Sequence, residues 1–317
     1  MTESDCTRLA KAIMTKDRCA ALAEIGEVDF AYSEPRTGRR FRVNVYRQVS
    51  GLGIAARLLP PVPLSFEALS MPAVVKALAE QQRGLLLITG PTSSGKTTTA
   101  AAMVDHINKI RPCHILTIED PIEILHSNKR AVISQREVGQ STADFVTGVR
   151  AAMRQDPDVI FVGEVRDAET IKAALQVAET GHLVIATLHT TDVAETINRV
   201  IDFFPMNVQE QVRVALAGSI IGIVSQRLLP KVGGGRVPAV EVMVMNGRTR
   251  DLILKGQKTH LLHDVLAGSS FYGMQTFDQA LLKLYREGLV ELEDAKNAAS
   301  NPHDLHLALQ QEGLQPV

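Results

Sequence analysis

Few cysteines, no excess of charge of either sign and no long apolar run characterise this chain, and each scarcity excludes something. The three cysteines, Cys6, Cys19 and Cys113, are scattered, with no C-x-x-C pair among them. They offer neither a zinc site nor a disulfide framework. Their usage fits a reducing cytoplasm, where a lone cysteine serves as a small apolar residue. Lysine and arginine number 34 against 35 aspartates and glutamates, a net charge of −1. Such a balance gives no general pull toward nucleic acid or an acidic membrane surface, and there is no basic run. No apolar stretch approaches the length of a membrane span and no signal peptide opens the chain. Any membrane role is therefore expected to go through a partner. Internal repeats and low-complexity segments are absent too. What remains is 317 residues, 45% of them apolar, enough for two domains and one sizeable α/β core.

The pattern along the chain predicts a helix over residues 5–24, then strands over Val28–Tyr32, Arg40–Arg47 and Ile54–Leu59. The second strand alternates, with Phe41, Val43 and Val45 on one face and Arg42 and Asn44 on the other. Glu34–Arg39 reads as a hairpin connection. Pro60-Pro61-Val62-Pro63 is stiff and extended, as an interdomain linker over 60–65 would be. From Phe66 onward, helices alternate with short, wholly apolar strands: Leu85–Thr89, Ile115–Ile118, Val159–Val162 and Leu183–Thr187. That alternation predicts a parallel sheet covered on both faces. A helix over 167–180 has Asp167 as its cap and Gly181 as its stop. The four-residue spacing of Val208, Val212, Leu216, Ile220 and Val224 predicts a core-facing helix over 207–228. After Gly233-Gly234-Gly235 comes a last strand, Val237–Met243, and then helices.

The first strand of the parallel set runs into Gly90-Pro91-Thr92-Ser93-Ser94-Gly95-Lys96-Thr97, the spacing Gly-x-x-x-x-Gly-Lys-Thr. Gly90 and Gly95 let the backbone turn tightly and aim its N–H groups at phosphate oxygens. Lys96 supplies a point charge, and the Thr97 hydroxyl can ligate Mg²⁺. The helix from Thr98 onward adds its positive end. These features predict binding of a nucleoside triphosphate.

Ligands of open α/β sheets sit beyond the carboxyl ends of the strands. The second strand ends in Glu119-Asp120-Pro121-Ile122-Glu123, which reads either as a metal-facing acidic cluster or as a solvated proline turn. The third, Asp158–Glu164, is four apolar residues with an acid at the tip, resembling a Walker B motif with Gly163 where an aspartate is usual. Glu164 could polarise water or help hold Mg²⁺. Arg166 and Asp167 read as an ion pair and helix cap or as catalytic groups. The fourth strand is bracketed by His182 and His189, roughly 20 Å apart at about 3.3 Å per residue, so they cannot share a metal. His189 falls on the phosphate edge and His182 on the opposite one.

Four motifs in this order, Gly90–Thr97, Glu119–Glu123, Asp158–Glu164 and Gly181–His189, resemble the Walker A, Asp box, atypical Walker B and His box of the type II/type IV secretion ATPase superfamily. Tyr272–Ala280 and Ser300–Leu305 are similar to stretches of its pilus retraction (PilT-like) branch. The short turn Lys231–Arg236 stands where the extension and secretion branch carries a four-cysteine insert. The resemblance implies a RecA-like P-loop core over 66–317, helical from about 247, behind a PAS-like N-terminal domain over 1–59. It implies that the chain begins near the middle of that domain, so that the N-terminal sheet is partial. Walker A departs from the family with Ser93-Ser94 where Gly-Ser is common. The resemblance further implies ATP and Mg²⁺ as ligands, Glu164 activating water, Glu123 assisting at the metal or the water, and His189 contacting the γ-phosphate. Pro91, Thr92, Ser93, Ser94 and Thr98 complete the cradle, and Arg42 and Arg57 are the N-terminal arginines supplied to the nucleotide. Finally, it implies a homo-hexameric, cytoplasmic motor, peripheral to the inner membrane through a pilus platform protein, driving pilus retraction. The alternatives are a secretion or extension ATPase, or a weakly hydrolysing regulator. Neither nucleic acid nor direct membrane insertion is expected.

Overall fold

Thr2 and Thr15 each begin a short helix by accepting a backbone hydrogen bond, and together they explain why one predicted helix is two. Helix α1 spans Glu3–Ile13 and α2 spans Lys16–Ile25, with Thr15 capping the second through Arg18 N. A computed structural model of the chain describes residues 2–59, 63–256 and 259–311. Pro60, Pro61 and Val62 of the expected linker lie outside the described residues. After the helices, β1 (Glu27–Ser33), β2 (Arg40–Gln48) and β3 (Gly51–Leu58) form an antiparallel sheet in sequence order. The alternation predicted for β2 holds: Val43 and Val45 are buried with Phe30, Ala10 and Leu22 in a small core.

The main unit opens with α3 (Ala73–Ala79), followed by β4 (Gly84–Thr89), α4 (Lys96–Ile110), β5 (His114–Glu119) and β6 (Val132–Glu137). Then come α5 (Phe145–Ala152), β7 (Val159–Val162), α6 (Ala168–Glu179), β8 (Leu183–Leu188) and α7 (Val193–Asp202). The remaining elements are α8 (Gln209–Ser219), β9 (Ile220–Pro230), β10 (Arg236–Val244), α9 (Gly247–Lys255), α10 (Leu262–Ala267), α11 (Phe277–Arg286), α12 (Leu292–Ala298) and α13 (Pro302–Gln311).

Seven strands make one sheet in the order β10-β9-β4-β8-β7-β5-β6. All neighbours are parallel except β10 against β9. Strands β4, β7 and β8 are buried along their whole length, because helices cover both faces. Two large apolar clusters flank the sheet, and a third packs α11, α12 and α13 against β9 and β10.

Two readings of the sequence are corrected here. The predicted helix over 207–228 is a helix only to Ser219; Ile220–Pro230 is β9, inserted between β4 and β10. The four-residue stripe was real, but β-branched Ile220, Ile221, Ile223 and Val224 suit a buried strand, and Gly222 packs where a Cβ would meet Leu78 and the Met243 carbonyl at 2.9 Å. Strand β6 was not foreseen. As an edge strand it is mostly half-buried and carries no clean periodicity.

Candidate nucleotide site

The six parallel strands end on one edge, and their order sets the order of the chemistry. Strand β4 leads to Lys96, its neighbour β8 to His189, the next strand β7 to Glu164, and β5 to Glu119–Glu123. Residues remote in sequence are thereby laid side by side around a cavity of about 510 Å³.

Between β4 and α4 the backbone makes the loop that the glycine spacing demands. Gly90 has φ +148° and Gly95 φ +92°, conformations that side chains disfavour. Space is short as well: a Cβ on Gly90 would sit 2.3 Å from the Gln226 backbone oxygen, and one on Gly95 2.6 Å from Gln226 Nε2. Ser93 also lies in the left-handed region at φ +66°. That conformation suits glycine and assigns a strain of about 1–2 kcal/mol to this chain's serine.

Lys96 is 7% exposed. Its Nζ donates to the carbonyls of Gly90 at 2.7 Å and Pro91 at 2.9 Å, and lies 3.3 Å from His189 Nδ1. Burial holds its pKa below the ordinary lysine value, opposed by the charge of Glu164. Glu164 accepts from Arg166 Nη2 at 2.7 Å, and its Oε1 lies 3.2 Å from His189 Nε2. Burial works to raise its pKa, but the Arg166 hydrogen bond and the charges of Arg166 and Lys96, with His189 acting in the same direction, outweigh it and hold the carboxyl low. Glu164 is thus an anion, as a water-orienting base must be. Burial and the neighbouring Lys96 ammonium keep the His189 imidazole below the usual histidine range.

The loop after β5 brings Glu119, Asp120 and Glu123 to the same cavity. It leaves the sheet through a cis Asp120–Pro121 peptide. Glu123 pairs with Arg42 Nη1 at 3.3 Å. Arg42 is shared: its Nε and Nη2 donate to Asp29 Oδ2 at 3.0 and 2.6 Å. The Asp29 hydrogen bond, with Glu123 adding its charge, raises the arginine pKa further. Arg57, directly opposite Arg42 across the β2–β3 pair, lines the cavity as well. The N-terminal sheet therefore faces the phosphate loop.

Every residue singled out for this site except two is on the cavity wall: Thr92, Ser93, Ser94, Gly95, Lys96, Thr97, Thr98, Glu123, Glu164, His189, Arg42 and Arg57. Gly90 and Pro91 lie behind it and serve through their carbonyls to Lys96. His182 falls on the opposite edge, where its carbonyl accepts from Gly84 N at 2.9 Å. Asp167 caps α6 through Thr170 N at 2.7 Å, and Arg166 pairs with Glu164 and, at 3.8 Å, with Asp120.

Glu119 was foreseen only as part of the acidic run, and Arg40 and Gln226 were not foreseen. Glu119 is 6% exposed; burial pushes its carboxyl up to about 7 despite hydrogen bonds from Thr117 and Gln135. Arg40 donates to the Ile122 carbonyl at 2.8 Å and helps seat the acidic loop. Gln226 packs beneath the phosphate loop. The acidic run at 119–123 was the only signal for the first. The other two come from strands whose contacts with the site span scores of residues.

The hard oxygen donors on the wall are the Thr97 hydroxyl and the carboxylates of Glu119, Glu123 and Glu164, with Asp120 beside them. Among the described residues no three His, Cys, Asp or Glu side chains converge as a self-sufficient metal site. One or two protein oxygens completed by phosphate and water is the donor set of a nucleotide-borne divalent cation. Of these donors, Glu123 is already engaged by Arg42.

A phosphate loop on a central parallel strand, with a histidine-bearing strand inserted between it and the strand carrying the acid, defines a P-loop ATPase of the RecA-like kind. Comparison with known proteins narrows the class. The family described as Type II/IV secretion system protein matches residues 35–294. The chain is 42% identical over 306 residues to a twitching motility protein of Neisseria gonorrhoeae, covering 96% of this chain and 81% of that one. It is 44% identical over 292 residues to the type IV pilus retraction ATPase PilT of Pseudomonas aeruginosa, covering 92% and 84%. A crystal structure of the pilus retraction motor PilT with bound ADP superposes with a TM-score of 0.86 at 46% identity, covering 95% of this chain and 85% of that one. The chain belongs to the type II/IV secretion ATPase family, in its PilT-like branch. Among the described residues no helix is long and apolar enough to cross a membrane.

Proposed function

We propose that this protein is an ATP-hydrolysing motor that drives retraction of type IV pili. The observation that carries the reading is the row Lys96–His189–Glu164 above the phosphate loop, which sets a phosphate-neutralising cation beside an anionic base. The likeness to proteins named for twitching motility and pilus retraction supplies the task. ATP occupies Gly90–Thr97. The Thr97 hydroxyl and the Glu123 carboxylate would hold Mg²⁺, which would neutralise charge on the nucleotide's phosphates. Glu164 orients the attacking water, and His189 contacts the γ-phosphate and keeps Glu164 and Lys96 apart.

Residues 1–59 act as one unit and 66–317 as another, joined by the proline-rich stretch 60–65. Arg42 and Arg57 carry the nucleotide state of the second unit to the first, so hydrolysis changes the angle between them. The working form is a homo-hexamer on the cytoplasmic side of the inner membrane, coupled to a platform protein. Counting surface pili in a strain deleted for this chain tests the reading. An excess of pili is expected; a bald strain would mean an extension motor.

A further inference from the structure

The register of β9 against β4 sets Ser225 opposite Thr89, so Gln226 stands level with Gly90, where the phosphate loop begins. Gln226 is 2% exposed and is not on the wall of the phosphate cavity. Its amide is used at both ends: Nε2 donates to the Ser94 carbonyl at 2.7 Å, and Oε1 accepts from the Thr99 hydroxyl at 2.8 Å. A carbonyl can only accept, so the amide nitrogen must face Ser94. Ser94 is in the loop and Thr99 in the first turn of α4. One side chain from a third element thus ties the loop to its helix. The same residue sets the loop's composition, because it occupies the space a Cβ on Gly90 or Gly95 would need.

We propose that Gln226 is the positioning residue of the phosphate loop. It holds the loop's amides and Lys96 in the shape that receives the β-phosphate of a nucleoside di- or triphosphate. This rests on the nucleotide reading above. Without the amide, a buried carbonyl and a buried hydroxyl lose their partners. The loop then relaxes toward other shapes, and binding must first restore the productive one.

The test is calorimetric titration of ADP into the full chain and its Gln226→Met, Thr99→Val and doubly substituted forms, with steady-state ATPase kinetics and the nucleotide-free thermal midpoint measured alongside. Gln226→Met is expected to weaken ADP binding about 10-fold or more, a step of about 1.4 kcal/mol or more. Thr99→Val should weaken it less, and the double variant should be no worse than Gln226→Met. KM should rise by more than kcat falls. A merely structural role would lower the thermal midpoint and leave the ADP Kd well below that midpoint unchanged. Such an unchanged Kd in Gln226→Met, or additive losses in the double variant, overturns the proposal. Should Gln226→Met not fold, Thr99→Val decides, and an unchanged Kd there overturns it. Lys96→Ala separates the two readings. Wild-type ADP affinity in that variant overturns nucleotide binding at this site. Loss of affinity there beside wild-type affinity in Gln226→Met overturns the role of Gln226 alone.

Discussion

The imidazole of His189 bridges Lys96 and Glu164, with Nδ1 3.3 Å from the ammonium and Nε2 3.2 Å from the carboxylate. An ammonium can only donate and a carboxylate can only accept. Nδ1 is therefore the acceptor, Nε2 carries the proton, and the ring is neutral, in keeping with the downward push of burial and of Lys96 on its pKa. The ring keeps the cation and the anion from collapsing onto each other on the cavity wall.

His189→Ala is expected to cost more in turnover than in binding. Lys96 keeps its two loop carbonyls, so ADP affinity should stay within about threefold, while kcat falls by about 10²-fold, the scale of a lost positioned polar group. His189→Gln, which can reproduce one of the two bonds, should fall between. Steady-state kinetics with ADP titration decides it, and equal losses in Kd and kcat would place the ring against the β-phosphate instead.

Lys96→Ala and Glu164→Gln should fail differently. The first removes the charge at the cradle and should abolish nucleotide binding and turnover together. The second leaves the cradle intact and should bind ATP while hydrolysing it about 10²-fold more slowly or worse. Normal hydrolysis by Glu164→Gln with a dead Glu123→Gln would move the base to Glu123.

Ser93→Gly should stabilise the chain. Serine in the left-handed region costs about 1–2 kcal/mol, part of which glycine gives back through the greater entropy of its unfolded state. A gain of about 0.5–1 kcal/mol in urea unfolding is expected. A loss would show that the Ser93 side chain makes a compensating contact.

The placement of this site's residues was legible in the sequence wherever a motif is local. Gly90–Thr97 is a run of eight residues whose spacing is its geometry, and Glu164 and His189 each end an apolar strand. Periodicity could not reveal Gln226, because the stripe Val208–Val224 continues the helical spacing through the point at which α8 becomes β9. Sheet burial overrides the local pattern there. Nor could it reveal that Arg42 divides its guanidinium between Asp29 and Glu123. That sharing is decided by how the N-terminal sheet sits over a loop some eighty residues away.

The buried carboxyl of Glu119 yields a prediction about pH. Its folded-state pKa is pushed up to about 7 by burial, against an unfolded value of about 4.3. Between those values the folded state binds the proton and the unfolded state does not, so stability falls as pH rises through the window. The loss is complete above about pH 7, and its upper bound is about 4 kcal/mol at about 1.4 kcal/mol per pH unit. Glu241, buried and likewise raised to about 7, adds a second fall, whereas His126, held down to about 4 by burial, opposes both by favouring the folded state as pH rises toward the ordinary histidine value. The wild-type profile is therefore a poor test, and the difference between two chains is the right one. Glu119→Gln keeps an acceptor for Thr117 and Gln135 and cannot ionise. It should match the wild type near pH 4.5 and exceed it by about 1–3 kcal/mol near pH 8. Urea unfolding of both chains at the two pH values measures this, with no nucleotide present. A difference that does not change between them would mean that Glu119 reaches water in the folded chain.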